Sequence, residues 1–218
     1  VRAAYGRIDA IIMSVWAIIP VKPLNRAKSR LSEVLTPEQR QQLAETMLRH
    51  VLSTIQQTPQ IMGTLVISRD TKALAIAREY RAHTVQESGQ PELNTALMRA
   101  TQVIARWKAG AILILPADLP LVASEDIAAI TRMGQQDCSV VIATDHHEDG
   151  TNALFIRPPG LIDYAYGTGS FRRHVQFAHE AGADVKIYRS ERLSLDIDIP
   201  ADLQSYQQLA GIRGVGSP

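Results

Sequence analysis

Apolar residues along this chain alternate between two periods. Two short unbroken runs, residues 15–19 and 111–115 (Ala-Ile-Leu-Ile-Leu in the second), have the pattern of strands buried on both faces. Between them Leu43, Met47, Val51 and Ile55 recur at four-residue spacing, with Leu48 and Leu52 beside them, which makes one buried helical face. That helix carries its own start signal. Thr36-Pro37-Glu38-Gln39 sets an N-cap threonine, a proline at the first helical position and a glutamine three residues after the cap. The same reading predicts strands over 64–68 and 83–86, and helices over 73–80 and from about 92 to 106. It also predicts a helix capped by Ser124, with Glu125 and Asp126 in the first turn, where carboxylates favour the dipole. Further strands are expected over 140–143, 153–157, 185–188 and 193–197, with a helix over 170–181 and a last one starting at Pro200.

Strands that alternate with helices of this length imply right-handed crossovers and a mainly parallel sheet flanked by helices on both faces. There is no repeat and no linker rich in glycine, proline or serine, so one α/β domain over 13–210 is expected. Residues 1–12 are expected to be a flexible extension outside the core, and 211–218 a glycine-rich tail that frays. The apolar stretch 10–21 resembles a signal-peptide core in composition. It is too short to span a bilayer as a helix and no small-x-small cleavage site follows, so a buried strand accounts for it better.

Composition narrows the function classes. Of 218 residues, 45% are apolar and 21% charged, which excludes a disordered chain. The balance of 23 basic to 22 acidic residues leaves a net charge of +1, so no global field draws nucleic acid or an anionic membrane. An aromatic content of 5% offers few platforms for stacking bases. Cys138 is the only cysteine, which rules out an internal disulfide and a cysteine zinc cluster and fits a reducing, cytoplasmic setting. It is expected to be at least half-buried at a strand start.

In parallel sheets ligands sit at the carboxyl ends of strands, so the loops there are the places to look for chemistry. The loop after the first strand holds Lys22, Arg26, Lys28 and Arg30, four cations within nine residues, beside Ser29. Such a loop can converge ammonium and guanidinium groups on phosphate, or simply be solvated. It is not a P-loop, and Gly167-Thr168-Gly169 lacks the third glycine of a dinucleotide fingerprint. Asp118, between Pro116 and Pro120 after the most apolar strand, is placed either to hold Mg²⁺ with substrate phosphates or to shape a turn. Asp196 and Asp198 lie two apart on an expected strand, so both carboxylates share a face, though Asp198 could instead bond the following helix start. Thr151 follows Asp149-Gly150, and Ser170 follows Gly167-Thr168-Gly169, turns whose glycines allow close backbone approach and whose following helix start could grip a small anion. His146-His147 is a polar loop without metal-ligand spacing, and no nucleophile elbow supports a hydrolase.

Basic loop, central carboxylate and late second carboxylate together form the layout of a magnesium-dependent nucleotidyltransferase. Ile18-Ile19-Pro20-Val21-Lys22 with Ala27-Lys28-Ser29-Arg30-Leu31 resembles the opening of the 2-phospho-L-lactate/phosphoenolpyruvate guanylyltransferase family. Pro116-Ala117-Asp118-Leu119-Pro120, Gly150-Thr151-Asn152-Ala153-Leu154, Gly169-Ser170-Phe171 with His174, and Asp196-Ile197-Asp198 with Pro200, Asp202 and Leu203 match its other blocks in order, over about residues 16–209. The resemblance implies a single GT-A-like (Rossmann-like) domain that joins GMP from GTP to a phosphorylated three-carbon acid in coenzyme F(420) biosynthesis. It implies Thr151, Gly167 and Ser170 as acid contacts and Asp118, Asp198 and, third, Asp196 as Mg²⁺ ligands. Lys22, Lys28, Ser29 and Arg30 would bind the triphosphate, Asn94 the nucleoside, and Lys28 and Asp118 would carry catalysis. The next transferase of the pathway, which uses the product, is the implied protein partner. The turn from Asp145 to Asp149 is short and acidic beside glycine-rich versions in the family, which leaves the acid's identity open. A CTP- or molybdopterin-type nucleotidyltransferase and a non-catalytic GTP-binding regulator are the alternatives.

Overall fold

A computed structural model describes residues 14–88 and 92–212. The expected extension at 1–12 and most of the expected tail lie outside those residues; the part of the tail within them, Gly211 and Ile212, continues the last helix. Seven strands form one sheet: β1 (Val15–Val21), β2 (Ile61–Ser68), β3 (His83–Gln86), β4 (Ala111–Ile114), β5 (Ser139–Thr144), β6 (Thr151–Arg157) and β7 (Asp184–Tyr188). Their order across the sheet is β3-β2-β1-β4-β6-β5-β7. All pairings are parallel except those of β6, which runs antiparallel to both β4 and β5. That reversal matters for the site. The amino end of β6 lies at the same edge as the carboxyl ends of the parallel strands, with Leu154 opposite Ile114 and Thr151 opposite Thr144.

Period-two alternation divides the core. Ala17 and Ile19 of β1 and Ala111 and Leu113 of β4 face one layer, while Ile18, Ile112 and Ile114 face the other. The first layer is covered by α1 (Pro37–Gln56), α2 (Thr71–Glu79) and α4 (Ser124–Met133), the second by α3 (Leu93–Arg106) and α5 (Ser170–Glu180). The capping box predicted for α1 is formed: the Gln39 N–H donates to Thr36 Oγ1 and the Thr36 N–H to Gln39 Oε1. A smaller cluster of Leu31, Met47 and Ile197 is flanked by Leu203 and Tyr206 of α7 (Pro200–Ile212) and clasps the loop after β1.

Three expectations are corrected. The strand expected over 193–197 is instead a helical turn, α6 (Glu191–Ser194), followed by an extended segment without a ladder partner, because β7 already occupies the place beside β5. Leu193, Leu195 and Ile197 still bury alternately, so the sequence pattern was real but packs without a neighbouring strand. Ser124 does not cap α4: Ala123 holds that position, and the Asp126 carboxylate reaches back to accept its N–H at 3.1 Å. Cys138 is exposed, in a left-handed turn (φ 55°) before β5, so its side chain never enters the core.

Candidate active site

The loop after β1 is built inward by two leucines. Leu24 and Leu31 sit in consecutive 3-10 turns, Leu24–Arg26 and Ser29–Leu31, and both are buried. The Leu24 N–H donates to Asp70 Oδ2 at 2.7 Å, and Asp70 also caps α2. Between the turns Lys28 takes a left-handed conformation (φ 56°), uncommon for a residue with a Cβ and a form of strain that collects at functional sites. The turn drives its side chain inward, leaving 6% of it exposed.

Lys28 Nζ lies 2.7 Å from Asp118 Oδ2 and 3.0 Å from Asp198 Oδ1. One ammonium thus bridges carboxylates from two loops that are 80 residues apart in sequence, drawing together two of the three predicted metal ligands. Burial by itself would depress the Lys28 pKa, but the two carboxylates outweigh it and hold the ammonium above its ordinary value. Burial pushes Asp198 up, and Lys28, with help from Lys22 and Arg30, more than reverses this, so Asp198 is held below the usual carboxylate range. Asp196, the third predicted ligand, is raised to about 6 by burial and by the charges of Asp118 and Asp198, against a weak opposing bond from Asn152 Nδ2 at 3.4 Å. Among the described residues no three acidic, histidine or cysteine side chains form a ready-made metal cage. Two oxygen donors already held by a cation nevertheless fit Mg²⁺, which binds through one or two carboxylates plus substrate phosphates.

These residues edge a cleft of roughly 320 Å³, at the lower end of the size range of small-molecule sites. Lys22, Lys28, Asp118 and Asp198 line it together with Ile67, Arg69, Glu87 and Ala96. Arg30 does not line the cleft; it lies 3.8 Å from Asp198 Oδ2 and is largely solvated. Ser29 is exposed and does not line the cleft. Asn94 does not line it either. Its Oδ1 accepts the Tyr166 N–H at 2.8 Å and its Nδ2 faces the Tyr166 carbonyl at 3.5 Å, so it clips α3 to the loop whose Tyr166 forms part of the wall.

The predicted acid contacts lie together, and none of the three lines the cleft. Ser170 Oγ donates to Thr151 Oγ1 at 3.2 Å, and Gly167 accepts the Ser170 N–H through its carbonyl at 3.0 Å. Gly167 (φ 120°) and Gly169 (φ 71°) adopt backbone angles that side chains disfavour, which lets this turn fold tightly onto the start of α5. The acidic turn before β6 is structural. Asp145 accepts N–H bonds from His147, Asp149 and Gly150, and a Cβ on Gly150 would lie 2.8 Å from Asp145 Oδ2. The Asp149 carboxylate takes the Gly169 N–H, tying the two turns together.

The supporting roles of two residues escaped the sequence reading. Asn152 Nδ2 donates to the Leu193 carbonyl at 2.8 Å, which fixes the segment leading to Asp196. Fully buried Asp126 accepts from Tyr188, Ser190 and Arg192. A polar residue at a core-facing helical position was the available signal for Asp126, whereas Asn152 has none in one dimension.

Comparison with known proteins places this arrangement among relatives. A family model described as guanylyl transferase CofC like matches residues 15–207. The chain is 38% identical over 201 residues to a phosphoenolpyruvate guanylyltransferase of Rubrobacter xylanophilus, covering 92% of this chain and 97% of that one. It is 36% identical over 187 residues to a 2-phospho-L-lactate guanylyltransferase of Methanocaldococcus vulcanius, covering 85% and 81%. In fold it resembles a nucleotidyl transferase of Methanothermobacter, with a TM-score of 0.66 at 15% identity over 90% and 97% of the two chains. It also resembles a CMP:2-keto-3-deoxy-manno-octonic acid synthetase in complex with CTP, with a TM-score of 0.62 at 13% identity over 92% and 99%.

Proposed function

The chain belongs to the CofC-like guanylyl transferase family, and from that premise we propose that it joins GMP from GTP to a phosphorylated three-carbon acid. Pyrophosphate is the second product, and the guanylylated acid feeds coenzyme F(420) biosynthesis. The observation that carries this reading is the Lys28 ammonium bridging Asp118 and Asp198 in the wall of the cleft.

The chemistry asks for charge management. A phosphate oxygen of the acid attacks the α-phosphorus of GTP in line, the bond from the α-phosphorus to its bridging oxygen breaks, and that oxygen leaves on pyrophosphate. The nucleophile is already ionised at neutral pH, so no general base is required. The barrier lies in bringing two polyanions together, and pre-placed cations lower it by neutralisation and alignment. Lys22 and Lys28 in the cleft wall, with Arg30 beside Asp198, would hold the triphosphate. Asp118 and Asp198, with Asp196 as a third ligand, would hold Mg²⁺, which would supply further positive charge to the phosphates when bound. A single cysteine suits a cytoplasmic enzyme of small metabolites, and among the described residues no helix is long and apolar enough to cross a membrane.

The test is pyrophosphate release with GTP and Mg²⁺, offering phosphoenolpyruvate, 2-phospho-L-lactate and 3-phosphoglycerate separately. Release with GTP and one acid, and not with CTP, is expected and names the substrate. No release with any acid, from folded protein that binds GTP, would overturn the reading in favour of a nucleotide-binding regulator.

A further inference from the structure

Thr151 is 4% exposed, and its hydroxyl sits in a chain of hydrogen bonds whose direction can be deduced. His174, on the first turns of α5, is fully buried. Its Nε2 lies 3.0 Å from the Ala165 backbone nitrogen. A backbone N–H can only donate, so Nε2 must carry a lone pair and the neutral ring carries its proton on Nδ1. Nδ1 lies 2.9 Å from Thr151 Oγ1 and therefore donates to it. Ser170 Oγ donates to the same oxygen at 3.2 Å. A hydroxyl oxygen has two acceptor positions, and both are now filled. The Thr151 proton is left without an acceptor among the described residues, and Thr151 can act only as a donor.

The ring cannot easily escape this role. Tyr166 meets it edge-on with centroids 4.9 Å apart, and the Arg173 guanidinium holds the Ala165 carbonyl at 2.7 and 3.2 Å. Burial and the neighbouring Arg173 charge also depress the His174 pKa to about 4, so the ring stays neutral under ordinary conditions.

We propose that His174 is a positioning residue that commits Thr151 to donate its hydroxyl proton, so that this corner of the site takes an acceptor-only oxyanion of the acid substrate. The proposal rests on the reading of Thr151 and Ser170 as acid contacts. It gives that subsite a chemical preference, for an ionised carboxylate or phosphate oxygen over an amide or hydroxyl donor, which Thr151 alone would not have.

Asparagine and glutamine divide the two functions of the ring. The Asn amide reaches the place of Nδ1 and can still donate to Thr151; the Gln amide reaches the place of Nε2 and can still accept from Ala165. Steady-state kinetics of pyrophosphate release are compared for His174→Asn, His174→Gln and Thr151→Val, with the KM for GTP as internal control. The expected result is a KM for the acid raised about tenfold or more in His174→Gln and Thr151→Val, from loss of a bond to a charged group. His174→Asn should stay within about threefold of the parent, and the KM for GTP should be unchanged in all three. Equal damage by Asn and Gln, or an unchanged acid KM in both, would overturn the proposal and reduce His174 to a packing residue. If Thr151→Val itself leaves the acid KM unchanged, the underlying assignment of the acid site is what fails.

Discussion

Asp118 and Asp198 share one buried ammonium, so each charge is set against its neighbours. Asp118→Asn keeps the shape and removes one carboxylate, and pyrophosphate release should fall on the order of 10²–10³-fold with an unchanged circular dichroism spectrum. Turnover near the parent level would remove Asp118 from the reaction. Asp196 bears the cost of the cluster. Its carboxyl is raised to about 6, so between the ordinary carboxylate value and 6 the folded chain holds a proton that the unfolded chain has released. The contribution of Asp196 to stability therefore declines as pH rises through that window and is lost in full above it. His174, held neutral down to about 4, contributes a slope of the opposite sign over much of the same range. Asp196→Asn should remove the Asp196 slope and add about 1 kcal/mol at pH 7.5, a discounted figure because water reaches part of the group. Urea titrations of parent and variant at pH 4.5 and 7.5 would detect it as a difference that grows with pH, and a difference that does not grow would refute the assignment.

At the scale of elements, the late segment that presents Asp196 and Asp198 has no ladder of its own and depends on side chains. Asn152 holds it from β6, and Asp126 ties α4 to Tyr188 of β7, to Ser190, and to Arg192 of α6. Asp126 is fully buried, and its bonds from Arg192, Ser190 and Tyr188 outweigh the desolvation that would raise its pKa, so it stays charged. Removing one partner of such a pair strands the other. Asp126→Ala should cost about 3 kcal/mol in urea unfolding. The Asp126→Ala/Arg192→Ala double variant should lose little more, because the two residues act on one interaction. Full additivity would show that the network does not couple α4 to α6.

For the whole molecule, the cleft lies along one sheet edge, so ligands that bridge its loops stabilise the fold as a unit. GTP with Mg²⁺ at about 100 times its dissociation constant should add about 2.7 kcal/mol, raising the melting temperature by roughly 5–10 °C. ATP and CTP should do less, and an equal shift with CTP would point to a cytidylyl enzyme. The α/β layout, the α1 capping box and the places of Lys28, Asp118 and Asp198 were legible from local patterns, because burial periodicity, cap chemistry and charge clusters are properties of short segments. The sequence by itself therefore determined the element order as far as β7, the two-layer covering of the sheet and which loops carry charge. Tertiary structure decided what those loops do together. The antiparallel insertion of β6, the helical turn in place of an eighth strand, the inward turn of Lys28 and the recruitment of Asn94 to Tyr166 depend on neighbours far along the chain. So does the tautomer of His174, which follows from one backbone N–H that only the folded chain brings within reach. Hydrogen-bond direction and carboxylate proximity are set by distances between segments, and a linear pattern does not contain them.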